Sequence, residues 1–287
     1  MTYSIVARDP VSGALGVGVQ THQPAVGAIV PWVKVGVGAI ATQSFANINF
    51  GPQGLALLEA GLDAKRALAA ILAGDDLVQR RQVAIIDNSG APAVHTGSDC
   101  IPFAGQVVGS GYSTQANMMT TEGVPEAMAS AYDAAPGPLA NRIMAALDAG
   151  QAAGGDIRGS QSAAILVREP GPLSSTWDLR IDNSTEPLVE LRRLLNIRRA
   201  GQLLASSQFG ESTPIELAMS AYAEANRLYP SDEQTFWFAV DTLTSLGAEG
   251  EAIDMLEMLF LRAPQWRELL LRLTLPGALA LRSPFAR

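Results

Sequence analysis

The spacing of hydrophobic residues changes several times along the chain, and each change marks an element. TYSIVA and GALGVGVQT are apolar and β-branched around the turn formers DPVSG, so residues 2–21 predict a β-hairpin. AVGAIV and VKVGVGAIATQ continue the strand pattern. The apolar period then lengthens to that of a helix in PQGLALLEAG and DAKRALAAILAG, with Asp63 placed to cap the second. QVAIID, the turn NSG and PAVHTG predict a second hairpin, and GQVVGSGYSTQANMM predicts further strand and an exit loop. A second helix pair follows in VPEAMASAYDAA and GPLANRIMAALDAG, after which SQSAAILV and TWDLRID return to strand.

Strands joined by hairpins and interrupted by helix pairs predict an α/β (α+β) chain with antiparallel sheets. Glycine-rich strands without charged solvent-side positions need cover on both faces, so the expected arrangement is two stacked sheets with helices outside. A doubly wound parallel sheet would need a helix after nearly every strand. The prediction for residues 1–185 is therefore a four-layer αββα sandwich. No GxGxxG or GxxxxGK[ST] motif accompanies the strand glycines Gly16, Gly18, Gly36 and Gly38.

Residues 186–287 are expected to form a second, all-α domain of amphipathic helices. Pro230 and Pro264 stand 34 positions apart, and Trp237, Leu246, Gly247, Ala252 and Pro264 follow the order of a tetratricopeptide repeat. About one and a half repeats fit, too few for a free solenoid. These helices are therefore expected to cover the first domain, another subunit of a homo-oligomer or a protein partner.

Composition narrows the function classes. Of 287 residues 48% are apolar and 17% charged, with a net charge of −8, which fits neither a disordered chain nor a basic nucleic-acid binder. Up to residue 185 there are 10 basic against 15 acidic residues, and the cluster Arg192, Arg193, Arg198 and Arg199 reads as a solvated helix face. Cys100 is the only cysteine, which excludes an internal disulfide and points to a reducing cytoplasm. Neither His22 nor His95 has a carboxylate-rich context, so no metal or other cofactor is expected. The uncharged stretch 10–33 is broken by Gln20, Thr21, His22, Gln23 and Pro24, unlike a signal peptide or a membrane span.

Thr2 is the first candidate for chemistry. Removal of Met1 before a small residue would leave a hydroxyl and a free α-amine on one residue, a nucleophile with its own base. Thr is also a good strand former, and both readings fit the opening residues. Ser4 shares a strand face with Thr2 but has no evident base, and Cys100 follows Asp99, whose charge opposes a thiolate.

TYSIVARDP, GVGAIATQSFAN, GPQGLALLEAG and GGDIRGSQSAAILV together resemble the bacterial family known as domain of unknown function 1028, an N-terminal-nucleophile (Ntn) hydrolase-like family, over residues 2–195. The resemblance implies an αββα fold with the nucleophile at Thr2 and hydrolysis of a small amide or peptide-like substrate, the α-amine acting as base. Without catalysis, the same chain would be an Ntn-like scaffold whose helical tail binds another protein. Proteasome-type relatives place a strand lysine near the nucleophile, a role that would fall to Lys34, which fits a solvated edge strand equally well. They also carry an acid followed by a serine, comparable to Asp156 and Ser160 or Ser162. As a plain loop, GGDIRGSQS would use Asp156 to satisfy backbone amides. Arg158 could bind a substrate carboxylate. Gln43, Asn47, Gln115 and Asn117 could line a pocket as oxyanion donors, or cap turns.

Overall fold

The computed structural model describes residues 2–171, 176–205, 209–210 and 212–286. It separates into two compact units, Met1–Arg192 and Arg193–Arg287. Among the described residues no helix is long and apolar enough to cross a membrane.

The first unit is a mixed α/β structure with two antiparallel sheets. Its elements are β1 (Thr2–Arg8), β2 (Leu15–Thr21), β3 (Pro31–Lys34), β4 (Gly38–Ser44), α1 (Phe50–Glu59), α2 (Ala64–Leu72), β5 (Arg81–Asp87), β6 (Pro92–Thr96), β7 (Gly105–Gly109), β8 (Tyr112–Asn117), α3 (Val124–Ala134), α4 (Leu139–Ala152), β9 (Ser162–Arg168) and β10 (Trp177–Ile181). One sheet has the order β10-β9-β2-β1-β8-β7 and the other β3-β4-β5-β6. Asp63 caps α2 as its position predicts, accepting the Arg66 amide at 2.7 Å.

Two strand expectations need correction. AVGAIV is not strand: Val26–Ala28 is a 3-10 turn entered from Ala25 at φ 56. The Ser162 hydroxyl accepts the Val26 amide at 3.2 Å and donates to the Gln23 carbonyl, holding the turn so that Val26 and Val30 both enter the core. VKVGVGAIATQ is two strands rather than one, because Gly36 at φ 70 turns the chain and Val37 bonds back to the Lys34 carbonyl at 3.1 Å.

Between the sheets Val6, Leu15, Val17, Val19, Ala39, Ala41, Ala84, Ile86 and Ala164 form one apolar cluster. Helices α1 and α2 lie against the four-stranded sheet through Phe50, Leu58, Ala67, Leu68 and Ile71 on Ile40, Val83 and Ile85. Helices α3 and α4 lie against the six-stranded sheet. A Cβ on Gly18 would overlap Ile143 of α4, so this glycine lets helix and sheet approach. Every residue of β2 and β5 is buried, as strands covered on both faces require.

Helix α5 (Pro187–Leu203) runs across the boundary between the units. The second unit continues with α6 (Ile215–Leu228), α7 (Asp232–Trp237), α8 (Glu249–Arg262), α9 (Gln265–Arg272) and α10 (Pro276–Phe285). The sequence predicts one regular helix over SDEQTFWFAVDTLTSLG, but residues Phe238–Leu243 form a π-helical turn. Phe238, Ala239, Val240, Thr242 and Leu243 of this turn are all buried in the core of the second unit.

Candidate active site

Along the layer between the sheets the core changes from apolar to polar at one end. In β1 Val6 gives way to Ser4 and Thr2, in β4 Ala39 and Ala41 to Gln43, and in β5 Ile86 and Ala84 to Gln82. Thr21 of β2 and Gln115 and Asn117 of β8 join them through the pairs Thr2↔Thr21, Ser4↔Gln115 and Thr2↔Asn117. All of these side chains are buried, Thr2 being the most accessible at 5%. Buried polar groups at this density persist only when they satisfy one another.

Around Thr2 they do so except at Asn117 Oδ1, which is buried without a hydrogen-bond partner. The Thr2 hydroxyl donates to Thr21 Oγ1 at 3.1 Å. Its carbonyl accepts Gln43 Nε2 at 3.1 Å and Asn117 Nδ2 at 3.4 Å. Gln82 Oε1 takes the same two amides, at 2.7 Å from Gln43 and 2.8 Å from Asn117. The Ser4 hydroxyl donates to Gln43 Oε1 at 2.6 Å and accepts Gln115 Nε2 at 2.7 Å. This cluster of hydroxyls and amides carries no charge, so it holds the Thr2 backbone in one geometry across the physiological pH range.

Asp156 lies at the same end of the six-stranded sheet. It is 3% exposed, accepts the His22 amide at 3.2 Å just beyond Thr21, and bridges to Met119 beyond Asn117. Arg158 clamps it with Nε on Oδ1 at 3.0 Å and Nη2 on Oδ2 at 2.7 Å. Burial, and then the Asp156 charge, push the Tyr3 phenol well above its ordinary value. Arg158 is thus engaged by Asp156, Ser162 holds the 3-10 turn, and the Ser160 hydroxyl reaches the Thr185 carbonyl at 3.4 Å.

Thr2, Gln43 and Asn117 are brought together as a cluster, with Gln115 one step away through Ser4. Lys34 and Asn47 are not brought to it. Lys34 pairs with Gly38 at the far end of β4, five strand positions from Gln43 or about 17 Å, and binds Glu59 at 2.5 Å in solvent. Its neighbours Val33 and Val35 do not bury it, because the strand ends there in the hairpin turn. Asn47 donates to Asp75 Oδ2 at 3.2 Å in a separate groove of about 630 Å³ with Phe50, Gln53 and Ile71. Among the described residues no three His, Cys, Asp or Glu side chains converge as metal ligands.

Sequence reasoning missed Thr21 and Gln82. Their signal was present: in RQVAIID, Gln82 occupies the same alternation phase as Ala84 and Ile86, a polar side chain at a core position. Such a residue needs buried partners and so marks a polar cluster.

Residues 2–191 match a family of unknown function, DUF1028. The chain belongs to this family. It is also similar to the crystal structure of protein SPO2555 from Silicibacter pomeroyi, of the same family, with 31% identity and a TM-score of 0.64 over 68% of this chain and 84% of that one. No curated protein matches the chain. The DUF1028 region contains Thr2, the amide cluster and Asp156 and stops before α6, so the later helices are additional to the shared unit.

Proposed function

We propose that the DUF1028 unit is an Ntn-hydrolase-like αββα sandwich and that the protein is an amidohydrolase, Thr2 supplying the nucleophile and, once Met1 is removed, the base. The observation that carries this reading is the fixation of Thr2: two side-chain amides on its carbonyl and Thr21 on its hydroxyl. A residue needed only as strand would be held by the ladder alone. In the reaction the Thr2 hydroxyl adds to the carbonyl carbon of a small amide or peptide-like substrate while the α-amine takes its proton. That proton then passes to the leaving amine as the C–N bond breaks, and water releases the acyl group from Thr2. A free α-amine has a pKa of about 7.7–8.0, so a useful fraction is neutral near pH 7. Asp156, its charge balanced by Arg158, holds the His22 amide and so fixes the end of β2 beside Thr2.

The placement of Lys34 with Glu59 leaves the α-amine as the only base in this scheme. The same placement favours, as a second reading, an inactive scaffold whose tetratricopeptide-like helices, with Trp237 and Leu246 packed on their common core, recruit a protein. Incubation of the processed protein with a threonine-reactive β-lactone, followed by peptide mass spectrometry, separates the two. A single adduct on Thr2 supports the hydrolase; an unlabelled Thr2 in a chain lacking Met1 supports the scaffold.

A further inference from the structure

Resting on Thr2 as nucleophile, we infer that the substrate carries an aromatic group, bound in the cavity walled by Phe45 and Ile101 next to the amide cluster. This cavity, of about 420 Å³, is lined by Ser44, Phe45, Arg80, Asp99 and Ile101. It begins one residue beyond Gln43, which binds the Thr2 carbonyl. Its opposite wall is joined to the other amide of Thr2: Met118, following Asn117, donates to the Ile101 carbonyl at 3.1 Å.

The walls are built to keep apolar side chains in the open. Phe45 is 56% exposed and Ile101 45%. Phe45 is nevertheless fixed at both backbone ends, its amide donating to the Arg80 carbonyl at 3.1 Å and its carbonyl accepting Arg81 Nη1. The Arg81 guanidinium lies 5.7 Å from the Phe45 ring centroid and is itself anchored by the buried Asp75 at 2.8 Å. Ser44 before it, Phe103 after Ile101 and Met118 are three of the four non-glycine residues with positive φ among the described residues, at 67, 57 and 57. Left-handed backbone on side-chain-bearing residues is costly and is retained where a fixed shape is used.

An anchored aromatic ring and an aliphatic side chain lining one cavity open to solvent offer a surface to another ring. The volume fits a phenyl group with room for a short linker toward Thr2. Arg80 and Asp99 are the charged residues of the lining, and Phe45 and Ile101 its large apolar ones. The class inferred is an arylalkyl amide such as a phenylacetyl amide.

The test uses the full chain and two probes. Saturation-transfer NMR with sodium phenylacetate is expected to show ring contact in the unaltered protein, none for sodium acetate, and an affinity about tenfold weaker in Phe45→Ala, the weight of one buried apolar group. Ile101→Asn is expected to weaken it similarly. Absence of phenylacetate binding, or equal binding by both variants, overturns the inference. The second probe is a pair of β-lactones bearing benzyl or methyl. Faster labelling of Thr2 by the benzyl compound, lost in Phe45→Ala, supports it; equal labelling by both overturns the aromatic class and leaves Thr2 as nucleophile. Phenylacetate bound at Phe45 with neither lactone on Thr2 keeps the aromatic site and overturns the hydrolase reading.

Discussion

Thr2 and Thr21 are cross-strand partners in β1 and β2, and their hydroxyls meet at 3.1 Å inside the layer between the sheets. This contact selects one Thr2 rotamer and one hydroxyl direction before any substrate arrives, an orientation that otherwise costs entropy in the transition state. Thr21→Val keeps the shape and removes the acceptor. It is expected to lower stability by about 1 kcal/mol and to slow Thr2 labelling while leaving its pH profile unchanged. Thermal melting and labelling rates check this; an unaltered rate would leave the contact purely structural.

Gln82 is the hinge of the amide cluster, because its Oε1 receives both amides that hold Thr2 and its Nε2 binds the Ala116 carbonyl at 2.9 Å and Thr96 Oγ1 at 2.9 Å. Gln82→Leu fills the same space with no hydrogen bonds and leaves the Gln43 and Asn117 amides short of an acceptor. The expected loss is about 2–3 kcal/mol, the penalty for unsatisfied buried polar groups, read in urea as an earlier midpoint for the first unit. A variant as stable as the parent would show that the amides re-pair without it.

Asp75 controls both a buried ion pair and the setting of Phe45. The Arg81 hydrogen bonds hold its carboxyl below the ordinary value against burial, which pushes the other way, with the Leu77 and Asn47 donors adding to the lowering. A depressed folded-state value contributes stability above the unfolded value of about 3.9 and loses it as pH falls toward the folded one. The melting midpoint is therefore expected to fall between about pH 5 and pH 2, and to fall less in Asp75→Asn. Asp75→Ala, which strands the Arg81 charge, is expected to cost about 3–5 kcal/mol and to weaken phenylacetate binding through Phe45.

The hairpins, the helix pairs and the antiparallel sheets were legible because each rests on local pattern: turn formers between β-branched runs, Asp63 before a helical period. AVGAIV misled because its apolar residues serve a 3-10 turn whose shape is set by Ser162, far away in sequence. The candidate site was half legible. Thr2 stands out as a hydroxyl beside a free α-amine and Gln43 and Asn117 as uncharged hydrogen-bonding residues, but which of them meet depends on β1 lying between β2 and β8 and opposite β4, which no local signal encodes. Lys34 was singled out only through the resemblance, and nothing in its own stretch shows that it pairs with Gly38, at the end of β4 away from Gln43. The π-turn at Phe238 is likewise a packing solution that periodicity does not announce.

The most direct prediction concerns the N-terminal residue of the processed chain. If the Thr2 hydroxyl attacks and its own amine accepts the proton, Thr2→Ala removes the nucleophile and is expected to abolish β-lactone labelling and amide turnover. The fold is expected to survive, since the Thr2 carbonyl, which Gln43 and Asn117 hold, is still present. Thr2→Ser keeps hydroxyl and amine and loses the methyl that restricts the rotamer, so partial activity is expected. Inserting Glu before Thr2 blocks removal of Met1 and converts the amine to an amide without a basic lone pair; labelling is expected to vanish although the hydroxyl is intact. A Ser4 or Cys100 nucleophile would not respond to that insertion. Mass spectrometry of the three variants after lactone treatment at about pH 7–8, where a free α-amine is partly neutral, reads the answer, and an adduct on Ser4 or Cys100 in the extended chain would leave Thr2 an ordinary strand residue.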